Sequence, residues 1–186
     1  MKSEKQKMLA GEPYNAWDPV LYHERIECRK RLQQLNGSIP DTKEWRDAID
    51  ALIPDSEGAF LEPPFRCDYG SNIRLGNNFY ANFNCVILDV AEVRIGSNVM
   101  FAPNVQIYTA GHPLDVKSRV EEGIEFGSAI DIGDNVWLGG GVIVCPGVTI
   151  GENSVIGAGS VVTKDIPANV LAVGNPCKII KQIDNG

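Results

Sequence analysis

The sequence predicts a mainly β protein, a parallel β-helix built from six-residue units with a helical N-terminal cap and an extruded loop. Three observations carry that expectation. Residues 132–167 divide without remainder into six hexapeptides: Ile132-GDNVW, Leu138-GGGVI, Val144-CPGVT, Ile150-GENSV, Ile156-GAGSV and Val162-TKDIP. Each opens on an aliphatic residue; Gly stands second in four (Gly133, Gly139, Gly151, Gly157), and Val or Ser stands fifth in five (Val136, Val142, Val148, Ser154, Ser160). Residues 1–57, in contrast, are rich in Lys, Arg, Glu and Leu and poor in Gly, the composition of helices. A fixed six-residue period is the mark of a solenoid.

A six-residue side buries one aliphatic residue on a short extended stretch and then turns where Gly tolerates unusual dihedrals. Three sides close a triangular coil of eighteen residues, which stacks Ile132 on Ile150, Leu138 on Ile156 and Val144 on Val162. An α-helical reading fails because the apolar period is six rather than 3.6, and Gly, Val and Pro oppose helix.

The helical segment, residues 1–57, opens with a short helix from Ser3 to Ala10. Asp18 before Pro19 reads as an N-cap followed by Pro in the first turn, and Asn36-Gly37 as a stop. Leu21, Cys28, Leu32 and Leu35 share one face between them. Asp41 with Glu44 reads as a capping box ahead of the apolar stripe Trp45, Ile49, Leu52 and Ile53, which Pro54 closes. Helices of this length need the solenoid to pack against.

Residues 58–186 form the β-helix, with coils readable from about Phe65. Leu75-GNNFY, Ala81-NFNCV and Ile87-LDVAE make one coil, and Ile95-GSNVM, Phe101-APNVQ and Ile107-YTAGH the next. Leu75 to Ile95 is two residues longer than a coil needs, which predicts a bulge between Asp89 and Val93. Residues 113–129 have no hexapeptide register and carry Asp115, Lys117, Arg119, Glu121, Glu122 and Glu125. They read as a loop extruded to wall a site. A C-terminal tail, 168–186, follows the last repeat.

Composition narrows the function. A formal net charge of −7 argues against nucleic acid or an anionic membrane as partner. No apolar run approaches membrane-spanning length and the opening MKSEKQKMLAGE has no signal-peptide core, so a cytoplasmic protein is expected. Five scattered cysteines (Cys28, Cys67, Cys85, Cys145, Cys177) without a C-x-x-C pair read as reduced, mostly buried thiols. There are only two histidines, His23 in the helical segment and His112 at the corner where the loop leaves. A three-histidine metal site cannot be built from them, and no metal is expected. Imidazole suits proton acceptance near neutral pH, which makes His112 the candidate base.

The strings RCDYGSNIRLGNNFYANFNCVILDV, IYTAGHP, IGDNVWLGGG and VIGAGSVVTKDIPANVLAVGNPCKII resemble the sugar O-acetyltransferases of the left-handed β-helix superfamily, over nearly the whole chain. The resemblance implies a left-handed coil and a homotrimer with active sites between subunits. It implies acetyl transfer from acetyl-CoA to a sugar hydroxyl, with His112 as base and Asn82 beside the reacting groups. Asp68 falls where the family holds its acceptor, Asn82 borders that pocket, and Tyr14 and Asp18 of the helical segment would complete it. Gly140, Ala158, Thr163 and Lys164 fall on coenzyme-contact positions, Lys178 and Lys181 stand where the family tends to have arginines, and Trp137 is either a further wall for the coenzyme or sugar or a packing residue of the trimer interface. Asp89-Val90 favours the maltose branch and Gly111 the galactoside branch; maltose and glucose lead as acceptors, with a primary hydroxyl attacked. Cys85 and Cys145 lack a paired base, which favours direct attack on the thioester over an acetyl-cysteine route. The rival readings are a xenobiotic acetyltransferase acting on an antibiotic hydroxyl, and a non-catalytic β-helical scaffold. Glu122 and Glu125 are candidates to orient the imidazole.

Overall fold

The computed structural model describes residues 1–54 and 56–184; Asp55, and Asn185 and Gly186 at the end of the tail, lie outside them. Three helices open the chain: α1 (Glu4–Leu9), α2 (Pro19–Asn36) and α3 (Lys43–Leu52). Ser3 caps α1 reciprocally with Gln6, and Asp18 caps α2 by accepting the N–H groups of Val20 and Leu21. The expected capping box of Asp41 with Glu44 does not form, and the cap falls one residue later. Thr42 is the N-cap, its hydroxyl accepting from the Trp45 N–H, while Asp41 takes a left-handed φ of 65° to turn the chain into the helix. No helix among the described residues is long and apolar enough to cross a membrane.

From Phe60 onward the chain winds into coils whose strands stack on three faces. The first strand, Phe60–Leu61, precedes the Phe65 at which the sequence pattern becomes readable, because Phe60-Leu61 is followed by Glu-Pro-Pro rather than by Gly. The three predicted columns are in register: Ile132 on Ile150, Leu138 on Ile156 and Val144 on Val162. All six residues are buried. Each such side chain contributes roughly 1.5–3 kcal/mol by leaving water.

The lower coils are larger. Leu61 pairs with Ala81, Cys67 with Ile87 and Leu75 with Ile95, twenty residues apart in each case. The extra residues enter one corner, at Asp68–Asn72 and again at Asp89–Glu92, the position of the expected bulge. Asp89 ties the two enlarged corners together. Its buried carboxylate accepts from the backbone N–H groups of Asp68 (3.0 Å), Tyr69 (2.9 Å) and Asn72 (3.3 Å).

The three edges of the prism differ in chemistry. One carries a ladder of asparagines, Asn78, Asn98, Asn135, Asn153 and Asn169, all with left-handed φ, each side-chain amide donating to the next. A second stacks Asn82-Phe83, Ala102-Pro103, Gly139–Gly141 and Gly157–Gly159, joined through Asn104 N–H to Phe83 O, Gly141 N–H to Pro103 O and Gly159 N–H to Gly140 O. A Cβ at Gly139 would lie 2.6 Å from the Ala158 nitrogen, so the coils close only with glycine there. The third edge holds the enlarged corners and, above them, the residues 110–129.

Those residues form more structure than the expected open loop. Ala110–Gly111 and Ile124–Gly127 pair antiparallel, a π-helical turn spans Lys117–Glu121, and Tyr14–Asn15 adds a third strand on the far side of Ile124–Gly127. The start of the chain therefore clasps its middle. Met8, Tyr14, Leu21, Tyr69 and Val90 bury a small core beneath that clasp, separate from the main column core.

The cysteines stay free, as expected, but two are neighbours: Cys28 on α2 and Cys67 in the third face, the sheet of Arg66–Cys67, Val86–Leu88, Gln106–Tyr108, Ile143–Val144 and Val161–Val162, meet at 3.6 Å between sulfurs.

Candidate active site

The hairpin of Ala110–Gly111 and Ile124–Gly127 opens immediately before His112, so the imidazole leaves the prism at a fixed place. Its Nδ1 faces the carbonyl of Ile124 at 3.4 Å. With Nδ1 carrying the proton toward that oxygen, Nε2 is left as the acceptor. Neither expected carboxylate orients the ring. Glu122 pairs with Lys117 at 3.6 Å, and Glu125 accepts the hydroxyl proton of Tyr14 at 2.8 Å.

His112 lines a cavity of about 380 Å³ together with Asp68, Glu125, Trp17, Leu88 and Val90. Asp68 comes from the lower enlarged corner, Glu125 from the hairpin strand and Trp17 from the link between Tyr14–Asn15 and α2. Burial, and the nearby Glu125, push the Asp68 carboxyl above its ordinary range, while Arg25 and Arg29 of α2 oppose the shift. Arg25 is committed elsewhere as well, giving one N–H to the Tyr69 hydroxyl (2.7 Å) and one to the Ala16 carbonyl (2.6 Å). That pairing braces α2 against the corner that carries Asp68. Burial holds Tyr69 up at about 12, so it stays a neutral hydroxyl.

Of the four residues expected around the acceptor, the structure brings only Asp68 to the cavity wall. Tyr14 is 1% exposed and reaches the site through Glu125, which it holds by a hydrogen bond. Burial and the Glu125 carboxylate raise its pKa, so it remains the donor of that bond. Asp18 is occupied as the α2 N-cap, and its neighbours Trp17 and Ala16 line the cavity in its place. Asn82 sits on the glycine-lined edge, its side-chain oxygen accepting from the Phe83 N–H at 2.8 Å.

The residues expected to meet a coenzyme divide between edges. Gly140 and Ala158 share the edge of Asn82, with open space beyond Gly141 and Gly159. Thr163 and Lys164 lie on the edge of His112, beyond the strand Val161–Val162. Lys178 and Lys181 lie on the exposed strand Lys178–Gln182, antiparallel to Val170–Val173. Trp137 points outward between Met100 and Val155, 48% exposed. Trp17, Arg25 and Arg29 line the cavity without a sign of it in the sequence, whereas Glu125, expected to orient the imidazole, lines it while bonded to Tyr14. The alternation Ile124-Glu125-Phe126 was the available sign that a strand, not a loop, presents Glu125.

Residues 7–52 match the family model described as the maltose acetyltransferase hexapeptide capping motif, and residues 130–164 match six repeats of the bacterial transferase hexapeptide. The structure of a maltose O-acetyltransferase from Clostridium difficile 630 is similar at a TM-score of 0.96 and 53% identity, covering 99% of both chains. This chain belongs to the sugar O-acetyltransferase family. Its fold class is the left-handed parallel β-helix with a helical cap. The galactoside O-acetyltransferase of Escherichia coli (strain K12) is 43% identical to the enzyme over 182 residues, 97% of this chain and 89% of that one. A galactoside acetyltransferase solved in complex with coenzyme A has a TM-score of 0.91 at 40% identity, covering 100% of this chain and 93% of that one.

Proposed function

We propose that this enzyme transfers the acetyl group of acetyl-CoA to a hydroxyl of a sugar, with maltose and glucose the leading acceptors and His112 the general base. The observation that supports it most is the placement of the His112 ring in a cavity that two carboxylates, three arginines and an exposed tryptophan also line. Carboxylates such as Asp68 and Glu125 accept hydrogen bonds from sugar hydroxyls, and Trp17 with Leu88 and Val90 offers apolar surface to the ring's C–H face. Nε2 takes the proton of the attacking hydroxyl as its oxygen bonds to the thioester carbon. The carbonyl oxygen gathers negative charge in that step and needs donors already in place. Asn82 and the N–H of Gly140 are the candidates. Collapse breaks the carbon–sulfur bond, and the imidazolium returns its proton to the departing thiolate.

Within one chain, His112 and the edge carrying Asn82 and Gly140 stand at opposite ends of a six-residue side, about 20 Å across at full extension. A homotrimer that sets the His112 edge of one copy against the glycine-lined edge of the next would join the two halves. The outward Met100, Trp137 and Phe83, 51%, 48% and 49% exposed, support a neighbouring copy on that surface. The bare backbone at Gly140 and Ala158 suits a pantetheine arm, and Lys164, Lys178 and Lys181 supply positive charge for the phosphates of coenzyme A.

Release of free thiol from acetyl-CoA tests the reading, with maltose, glucose, a galactoside and an antibiotic alcohol as acceptors. A sugar drives release in the wild type, and His112→Ala lowers kcat by roughly a hundredfold or more while coenzyme A still binds. Equal rates for wild type and His112→Ala would remove His112 from the chemistry, and turnover of the antibiotic alone would replace the sugar.

A further inference from the structure

The cavity at His112 does not end at Asp68. Arg29, Asp68 and Leu88 also line a second cavity, of about 730 Å³, which continues between α2 and the strand Arg66–Cys67. Its floor is apolar, formed by Leu32, Cys67 and Leu88. Its walls are Gln33, Arg29 and Arg66. Asn36 also borders it, but both ends of that amide are already bonded to the Phe65 backbone, at 2.9 Å and 2.8 Å.

Arg66 is what distinguishes this extension; Arg29 is shared with the His112 cavity, which Arg25 and Arg119 also line. Most other arginines on the molecule are spent on fixed partners: Arg46 on Asp50, Arg94 on Glu92 and Asp131, Arg119 on the Pro113 and Leu114 carbonyls. Arg29 gives one N–H to the Arg25 carbonyl at 3.1 Å and keeps the rest of its fork. Arg66 points outward beside the buried Cys67, and among the described residues its guanidinium has neither an ion pair nor a hydrogen bond. In a chain of net charge −7, two arginines flank an apolar floor in which Asp68 is the single carboxylate. A planar guanidinium pairs with a carboxylate, phosphate or sulfate through two parallel hydrogen bonds, and it keeps its charge at every physiological pH. An apolar strip beneath it takes the face of a second sugar ring.

We propose that this second cavity receives the next unit of a glycoside acceptor, and that this unit carries an oxyanion held by Arg66 and Arg29. The inference rests on the reading of the His112 cavity as the acceptor site. The hydroxyl to be acetylated lies at His112, the first ring at Asp68 and Glu125, and the charged unit lies between α2 and the third face of the prism. The preferred acceptor is then an acidic disaccharide or longer, with neutral maltose and glucose accepted at higher KM.

The test is steady-state thiol release by the intact enzyme with four acceptors: methyl glucoside, maltose, a glucosyl-glucuronate disaccharide and a maltose phosphate. The charged disaccharides have KM values at least about tenfold below that of maltose, as a charge-assisted pair predicts, and raising the salt narrows the gap. The ranking of glucuronate against phosphate identifies the anion. Arg66→Gln raises KM for the charged acceptors by about tenfold with little change in kcat, Arg66→Lys recovers part of the loss, and KM for methyl glucoside, which does not reach Arg66, moves less than about twofold. Equal KM values for charged and neutral disaccharides overturn the proposal. So does an Arg66→Gln effect of the same size on every acceptor, which would assign Arg66 to packing or to a contact between copies. Turnover of none of the four sugars overturns the acetyl-transfer reading itself, and this subsite with it.

Discussion

Asp89 has no exposed surface, and burial pushes its carboxyl up to about 7 against the pull of the Tyr69, Asp68 and Asn72 N–H groups. The unfolded chain releases this proton near the ordinary value of 3.8, whereas the folded chain keeps it until about 7. The folded state therefore binds the extra proton between those values, and stability falls as pH rises through that window and levels off above it. Asp68, also shifted upward, contributes with the same sign. Calorimetric Tm values taken from about pH 4 to about pH 8 should show the wild type losing ground to Asp89→Asn as pH rises. A constant difference would mean Asp89 is ionised throughout. Asp18 makes a different kind of prediction. Its carboxylate closes α2, so Asp18→Ala costs about 1 kcal/mol in urea unfolding and leaves KM for the sugar unchanged, while Asp18→Ser keeps both. A raised KM in Asp18→Ala would return Asp18 to the acceptor site. The sequence made the cap legible through Asp-Pro, and the KM of Asp18→Ala decides the second role.

At the level of elements, the repeat was legible because each hexapeptide spends one residue on the column, and a column in the wrong register would bury Asn, Asp or Ser. The asparagine ladder has the same origin but was hidden. Asn78 or Asn84 taken singly is a turn residue, and only the stacked coils show Asn98, Asn135 and Asn153 bonded in a line while Asn84 and Asn104 lie on a different edge. Asn135 has a φ of 58°, donates to Asn153 at 2.8 Å and accepts from Asn98 at 3.1 Å. Asn135→Ala loses both bonds and strains the turn, for a cost of about 2 kcal/mol; Asn135→Gly loses the bonds alone and costs less. Equilibrium unfolding of the two variants checks the order, and a more stable Ala variant would deny the turn its left-handed strain. Residues 113–129 were illegible for the opposite reason. Ile124–Gly127 is four residues long, its only sign is the single alternation Ile124-Glu125-Phe126 among six charges, and its pairing partners lie elsewhere in the chain.

For the whole molecule, the division of the site residues between two edges makes a prediction about mixtures. His112→Ala and Asn82→Ala are each depleted of activity alone, yet subunits of the two assembled together regain it. Random assortment gives roughly a quarter of the sites an intact His112 from one copy and an intact Asn82 from the next. Coexpressed and purified mixed oligomers, assayed by thiol release, check this; activity no higher than the sum of the parents would place both residues in one subunit's site. The overall shape also has a history in time. Tyr14 is joined to Glu125 across 111 residues of chain. On a ribosome adding about 5–20 residues each second, the first strand waits roughly 6 to 22 s for its partner to be made. During that interval α2, α3 and the lower coils are synthesised, with Tyr14 unpaired and the clasp open. A polypeptide released before Gly127 lacks part of the strand that walls the cavity at His112, so that cavity closes only late in synthesis.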